Sequence, residues 1–348
     1  MPRLRTCAAS ALFALLLATT EPALAPAATA AAAHTPGTTV VLSHGSGLSK
    51  YPYRVYTPKG WTPTSHMPLY VMVHGCQTTA EQQERANLLD PLADAKGFVV
   101  VYPDTNAIEN AQPGPTARCW QFPSPLNWLR GHGDVAAVAA ITQEVIADWG
   151  IDRQRVYVMG MSAGSFLSAD LAATYPDLYA ASGENAGGAY ADGTCLVQNT
   201  VALPVSASAM LARRAMGPRT RVVPRIVVGG DADQGIPPAC ADKALMQSLR
   251  TNNLVLGASQ TSPISLTPTS VKSAQVPNGR SYSVADYHDG HGCLIGRRVL
   301  VHGMNHFWSG GSADPTLASF TDPTGPSAAK ASWRFFSHFT LANTADSC

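Results

Sequence analysis

Short apolar runs alternate with amphipathic stretches along most of the chain. The segments 40–43, 53–57, 69–73, 98–102, 156–159, 225–228 and 298–301 are rich in β-branched or aromatic residues, and several have no polar face, as suits strands buried on both sides. Between them lie helical patterns over about 79–95, 133–149, 163–175, 240–250 and 328–340. The second is the clearest, with apolar positions at Val135, Val138, Ile141, Val145 and Ile146. Strands alternating with helices predict an α/β architecture, a mostly parallel sheet covered on both faces. No helical pattern separates residues 40 and 57, so the first two strands should be antiparallel. No internal repeat is present, and the stretch richest in Pro, Gly and Ser, about 259–270, lies inside the body. One domain over 34–348 is the expectation.

Ahead of these elements the chain has a different character. Met1-Pro-Arg-Leu-Arg5 precedes an apolar stretch from Ala8 to Leu17, and Ala/Pro/Thr-rich sequence continues to Ala33. This is the order of an export signal, predicted over 1–33 with cleavage after 25 or 33, and it makes the mature protein extracellular. Its apolar part is too short to span a bilayer, and no later run reaches the roughly 18 residues a membrane helix needs. Cys7 falls before either cleavage site. Cysteines 76, 119, 195, 240, 293 and 348 then remain, an even number in an oxidising compartment, and three disulfides are expected. Charged residues make up only 14% of the chain, and 24 Lys and Arg balance 23 Asp and Glu. Without a basic run to neutralise phosphates, the charge pattern argues against nucleic acid as a partner.

Candidate chemistry appears at Gly160-Met161-Ser162-Ala163-Gly164, which follows a β-rich run and opens a helix-forming stretch. Gly-x-Ser-x-Gly between strand and helix is the setting of a nucleophile elbow in the α/β-hydrolase fold. Serine alone is a weak nucleophile, so a base must lie within hydrogen-bond reach and a third group must orient that base. Two aspartates, Asp231 and Asp233, follow the strand near 225–228. Asp233 is preferred as the acid because it lies deeper in the loop and precedes the turn Gln-Gly-Ile-Pro. His302 is assigned to the strand near 298–301, and His306, flanked by glycines in the loop beyond, is the expected base. The tetrahedral intermediate needs two backbone N–H donors. Ala163 follows the nucleophile and supplies one, and Cys76, in the His74-Gly75-Cys76 loop after the third strand, supplies the other. Such chemistry requires no metal and no cofactor.

At these residues the chain resembles the secreted polyhydroxybutyrate depolymerases and the related feruloyl and acetylxylan esterases. The likeness runs through 53–58, 68–76, 97–103, Cys119-Trp120, 151–157, 160–164 and Gly303-Met-Asn-His306. It implies Ser162 as nucleophile, Asp233 and His306 as its partners, and Cys76 and Ala163 as oxyanion donors. Ser165 and Ser309 depart from it, standing where the family usually has a second glycine and a proline. Many polymer-active members append a module for solid polyester, and none is expected here. The predicted substrate is a hydroxyalkanoate polyester or its oligomers, with feruloyl or acetyl esters of plant polysaccharide as the alternative and an inactive binding protein as the third possibility. Trp120, Trp128, Tyr190 and Trp308 are candidates for an apolar substrate platform. Cys76 is paired with Cys119, because loops after neighbouring strands emerge at one edge of the sheet.

Overall fold

The computed structural model describes residues 34–193, 195, 203–257 and 263–342. The expected export signal and Cys348 lie outside the described residues. The seven predicted runs become β1 (Thr38–His44), β2 (Tyr51–Thr57), β3 (Leu69–Val73), β4 (Val99–Pro103), β5 (Val156–Met161), β7 (Arg225–Gly230) and β10 (Leu294–Val301). They are joined by β6 (Ala181–Asn185), β8 (Ser270–Gln275) and β9 (Ser281–His288), which the hydrophobic pattern does not reveal. All ten form one sheet in the order β1-β2-β4-β3-β5-β6-β7-β10-β9-β8. From β4 to β10 every neighbouring pair is parallel, whereas β1, β2, β9 and β8 pair antiparallel at the two ends.

The period-two rule divides the central strands between two cores. Leu69, Val71, Val73, Val99, Val101, Val156 and Val158 face a core that includes Val138 and Ile141 of the helix Gly133–Asp148 and Phe166 and Leu171 of the helix Ala163–Thr174. Tyr70, Met72, Val100, Tyr102, Tyr157 and Met159 face the other, which includes Leu89 and Leu92 and Phe335 and Phe336 of the helix Ala328–Phe336. This is an α/β-hydrolase sheet with helices on both faces. The predicted helix 79–95 is broken at Leu88, whose φ of 59° ends Ala80–Asn87 before Leu89–Lys96 begins. The helix predicted over 240–250 extends over Pro238–Leu256, and Val205–Met216 is a further helix. His302 lies just past β10, not within it.

The missed strand β6 reads Ala-Ser-Gly-Glu-Asn and is buried throughout. Its Glu184 survives there because Arg225 of β7 lies 2.9 Å away. Burial raises the Glu184 carboxyl to about 7, against the opposing pull of Arg225 and Arg298.

Candidate active site

β5 delivers the chain to Ser162, held at φ 55° and ψ −121° as the cap of the helix Ala163–Thr174. Such a conformation costs a non-glycine residue on the order of 1–3 kcal/mol, so its surroundings must hold it. A Cβ on Gly160 would overlap the backbone of Gly164, and one on Gly164 would overlap the carbonyls of Val73 and His74. The two glycines of the motif therefore allow helix, β5 and the loop after β3 to meet at van der Waals distance. Ser162 N–H donates to Asn185 O at 3.0 Å. Ser165 strengthens the same junction: its Oγ lies 2.6 Å from Gly160 O and 2.8 Å from Asn185 O, and it accepts from Asn185 N at 2.9 Å. The hydroxyl at this unusual position thus ties the turn to the end of β6, a bond that glycine lacks.

Ser162 Oγ lies 2.8 Å from His306 Nε2. On the other side of the ring, Nδ1 is 3.0 Å from Asp233 Oδ1 and 2.9 Å from Oδ2. The Asp233 side chain is only 3% exposed, and its Oδ1 also accepts the N–H groups of Gly235 and Ile236 at 2.9 and 2.8 Å. Asp231 is directed elsewhere. It pairs with His302 Nδ1 at 2.8 Å and accepts Gly303 N at 2.6 Å, with both side chains of the pair more than 40% exposed. Burial would raise the Asp231 carboxyl, but the His302 and Gly303 hydrogen bonds outweigh it and hold the group below the ordinary carboxylate range. Two Asp–His pairs therefore lie side by side between the loops after β7 and β10, and the inner one reaches the serine.

The loop after β3 closes over the elbow. A Cβ on Gly75 would come 3.1 Å from Ser162 Cβ, and among the described residues neither Cys76 N–H nor Ala163 N–H has a hydrogen-bond acceptor. Below the loop lies His74, fully buried, a residue whose contribution the sequence did not suggest. Its Nδ1 is 2.7 Å from Gly75 O, its Nε2 is 3.1 Å from Asp104 Oδ1, and its carbonyl accepts from Trp120 Nε1 at 3.0 Å. Burial would raise Asp104, but the hydrogen bond and charge of His74, with the N–H groups of Ala80 and Thr105, hold its carboxyl low. Only the dipeptide His74-Gly75 was visible beforehand; Asp104 follows β4 and is brought in by the sheet order.

Cys76 is bonded to Cys119, and Cys195 to Cys240. The first bridge joins the segments that follow the adjacent strands β3 and β4, and the second ties the segment after β6 to the first turn of the helix Pro238–Leu256 that follows β7, so the elbow after β5 has a bridge on each side in the strand order. Cys293 is also disulfide-bonded. Three of the four aromatics expected to form a substrate platform are closed off from solvent. Trp120, Tyr190 and Trp308 are buried, Trp120 by its bond to His74 O and Tyr190 by hydrogen bonds to Gln247 Oε1 and Trp128 O. Trp308 packs in the core with Met304 and Ala328. Trp128 is half-exposed and packs against Ala169, Ala173 and Tyr190 on the flank of the helix Ala163–Thr174, with its Nε1 donating to Phe122 O at 3.1 Å. Ser309 donates its N–H to Asn185 Oδ1 at 3.4 Å and its hydroxyl to Pro326 O at 2.7 Å, two bonds a proline would not form. Among the described residues no group of three or more His, Cys, Asp or Glu is arranged to hold a metal ion.

A family profile described as "Esterase PHB depolymerase" matches residues 51–263, which contain Ser162, Asp233, Cys76 and Asp104. The chain belongs to the PHB depolymerase esterase family. Within it, the chain is 36% identical over 126 residues to poly(3-hydroxyalkanoate) depolymerase C of Paucimonas lemoignei, covering 36% of this chain and 29% of that one. It is 30% identical over 198 residues to feruloyl esterase B of Neurospora crassa, covering 51% and 63%. The matches to these two relatives thus span less than two thirds of their lengths. Among solved structures, acetyl xylan esterase from Aspergillus awamori has the same fold, with a TM-score of 0.59 at 18% identity over 78% of this chain and 94% of that one.

Proposed function

We propose that the protein is an exported serine esterase that cleaves carboxylic esters through an acyl-enzyme on Ser162. The observation that carries this reading is the continuous line from Ser162 Oγ through His306 to Asp233, with bonds of 2.8 and 2.9 Å, beside two N–H groups free to receive an oxyanion. In the first half-reaction Ser162 Oγ attacks the ester carbonyl while His306 Nε2 takes its proton. The negative oxygen of the tetrahedral intermediate accepts from Cys76 N and Ala163 N. His306 then gives its proton to the leaving alcohol oxygen and the acyl-enzyme remains. Water repeats the sequence on that acyl group and frees the acid. Asp233 stays ionised throughout and stabilises the imidazolium that forms twice per turnover.

A hydroxyalkanoate polyester or its oligomers is the substrate we favour, supported by the similarity to the depolymerase. Feruloyl or acetyl esters of polysaccharide form the second reading, supported by the longer alignment with the feruloyl esterase. Export is supported by the arrangement of residues 1–33 and by the disulfides; among the described residues no helix is long and apolar enough to cross a membrane. The decisive test is Ser162→Ala assayed on short chromogenic acyl esters, a feruloyl ester and amorphous polyhydroxybutyrate, with labelling by a fluorescent organophosphonate. Loss of all hydrolysis and of labelling, in a variant that remains folded, is expected. A tenth of wild-type turnover would remove Ser162 from the mechanism, and faster turnover of the feruloyl ester than of every hydroxyacid ester would select the second substrate.

A further inference from the structure

The acid and the base stand on different loops, Asp233 after β7 and His306 after β10, and those loops must agree in position within a few tenths of an ångström for the dyad to work. Backbone hydrogen bonds hold the loops together only at their roots: Asp231 N donates to Val301 O at 3.3 Å and Ala232 N to Met304 O at 3.2 Å. Beyond that point, among the described residues, no backbone-to-backbone bond joins 233–236 to 305–306. A single side-chain atom takes over. Asn305 Oδ1 accepts Gln234 N–H at 2.8 Å and His306 N–H at 2.8 Å. One donor is the residue directly after the acid, and the other is the base itself. Both donors are N–H groups, so the oxygen, not the amide nitrogen, must face them.

We infer that Asn305 is a positioning residue that sets the separation and angle between the Asp233 carboxylate and the His306 ring by clamping both loops on one oxygen. This rests on the assignment of Ser162, His306 and Asp233 as the reacting triad. Asn305 itself does not face the nucleophile; its effect passes through His306. Without the clamp, the backbone on each side of the Asp233–His306 bond loses a hydrogen bond, and beyond the bonds that Asp231 and Ala232 make at the loop roots only the Asp233–His306 contact registers the two loops. A misplacement of about 1 Å in such an arrangement costs roughly 100-fold in rate.

Asn305→Ala and Asn305→Asp separate this role from a merely structural one. Asn305→Ala should lower kcat by about 10- to 100-fold on a short acyl ester with KM unchanged and the circular dichroism spectrum native. Asn305→Asp keeps an acceptor for both N–H groups and adds a negative charge beside His306, which favours the protonated ring. Its plateau kcat should recover to near wild type while the acid limb of the pH profile moves to higher pH. A purely structural asparagine would give two variants of similar stability loss whose kcat, measured where they are folded, stays near wild type. Wild-type kcat in Asn305→Ala, or an Asn305→Asp variant as slow as Asn305→Ala with an unmoved acid limb, overturns the inference. Ser162→Ala in the same series keeps the two failures distinct. If it is inactive while Asn305→Ala is fast, only the clamp is wrong; if it is active, the triad assignment fails and the clamp with it.

Discussion

Asp233→Asn separates orientation from charge at this site, because the structure dictates how the new amide must sit. Asp233 Oδ1 already accepts two backbone N–H groups, from Gly235 and Ile236, in a side chain almost closed to solvent. Turning an amide nitrogen toward them would leave two buried donors unsatisfied, at about 1–3 kcal/mol each. The asparagine oxygen therefore stays in place and its NH2 group occupies the position of Oδ2, 2.9 Å from His306 Nδ1. There it donates, so Nδ1 must accept and the ring proton moves to Nε2. An Nε2 that carries a proton cannot take one from Ser162. The expected result is a fall in kcat of about 10^4-fold, the size seen when other Ser-His-Asp sites are forced into the wrong tautomer, and about 5.5 kcal/mol at the transition state. KM and the melting temperature should change little. Asp231→Asn is the matched control, since it breaks an exposed ion pair of about 1 kcal/mol or less and leaves the inner pair standing. Its kcat should stay within about tenfold of wild type. Initial rates on a short chromogenic ester across pH 6–9 provide the measurement. A larger loss in Asp231→Asn than in Asp233→Asn would refute both the acid assignment and the tautomer reasoning.

Two further outcomes follow from the loops around the elbow. Cys119→Ala opens a bridge spanning 43 residues, which by the loop-entropy relation lowers stability by about 4 kcal/mol. If Cys76 N–H is the oxyanion donor proposed above, kcat at a temperature where the variant is fully folded should fall by at least about tenfold with KM unchanged; a wild-type kcat would limit the bridge to a structural role. Glu109→Gln concerns pH. Burial, and then the charge of Asp134, raises the Glu109 carboxyl to about 9 in the folded protein, against 4.5 as its ordinary value. The native state therefore holds a proton that the unfolded chain releases, and stability declines as pH rises from about 4.5 to about 9. Thermal melts of Glu109→Gln between pH 5 and 9 should show a shallower decline than wild type, and parallel curves would rule out this source.

The elements legible in the sequence were those whose burial is simple. β3, β4 and β5 are continuous apolar runs because helices cover both their faces, and they appear where the hydrophobic pattern puts them. β6 was invisible because its stability comes from neighbours: a buried Glu184 paired with Arg225 has no signature in a propensity scale. β8 and β9 were missed for the opposite reason, since their half-exposed polar residues resemble loop. Ser162 was legible because steric demand writes glycines at fixed positions beside it. Asp233 and His306 were legible by their order after strands. The roles of His74, Asp104, Asn185 and Asn305 were not, because each acts through a partner brought to it only by the sheet order. The aromatics show the reverse error. Trp120 lies in a loop and Trp308 in the two-residue strand Trp308–Ser309, and the sequence carried no sign that these segments fold inward over them.

The antiparallel pair β9 and β8 keeps β10, the strand that leads into the His306 loop, away from the margin of the sheet. Without them, β10 would be the sheet's edge, and edges are where backbone hydrogen bonds open first and where foreign strands pair. With them, fraying begins two strands away, at a β8 that carries Lys272 and an exposed Val271 and donates nothing to the site. Amide exchange should therefore be fast along Ser270–Gln275 and slow along Leu294–Val301, so that transient opening at the sheet's margin leaves the histidine loop anchored. The hairpin acts as a mechanical buffer, absorbing thermal motion at the rim while the root of the reacting group stays still.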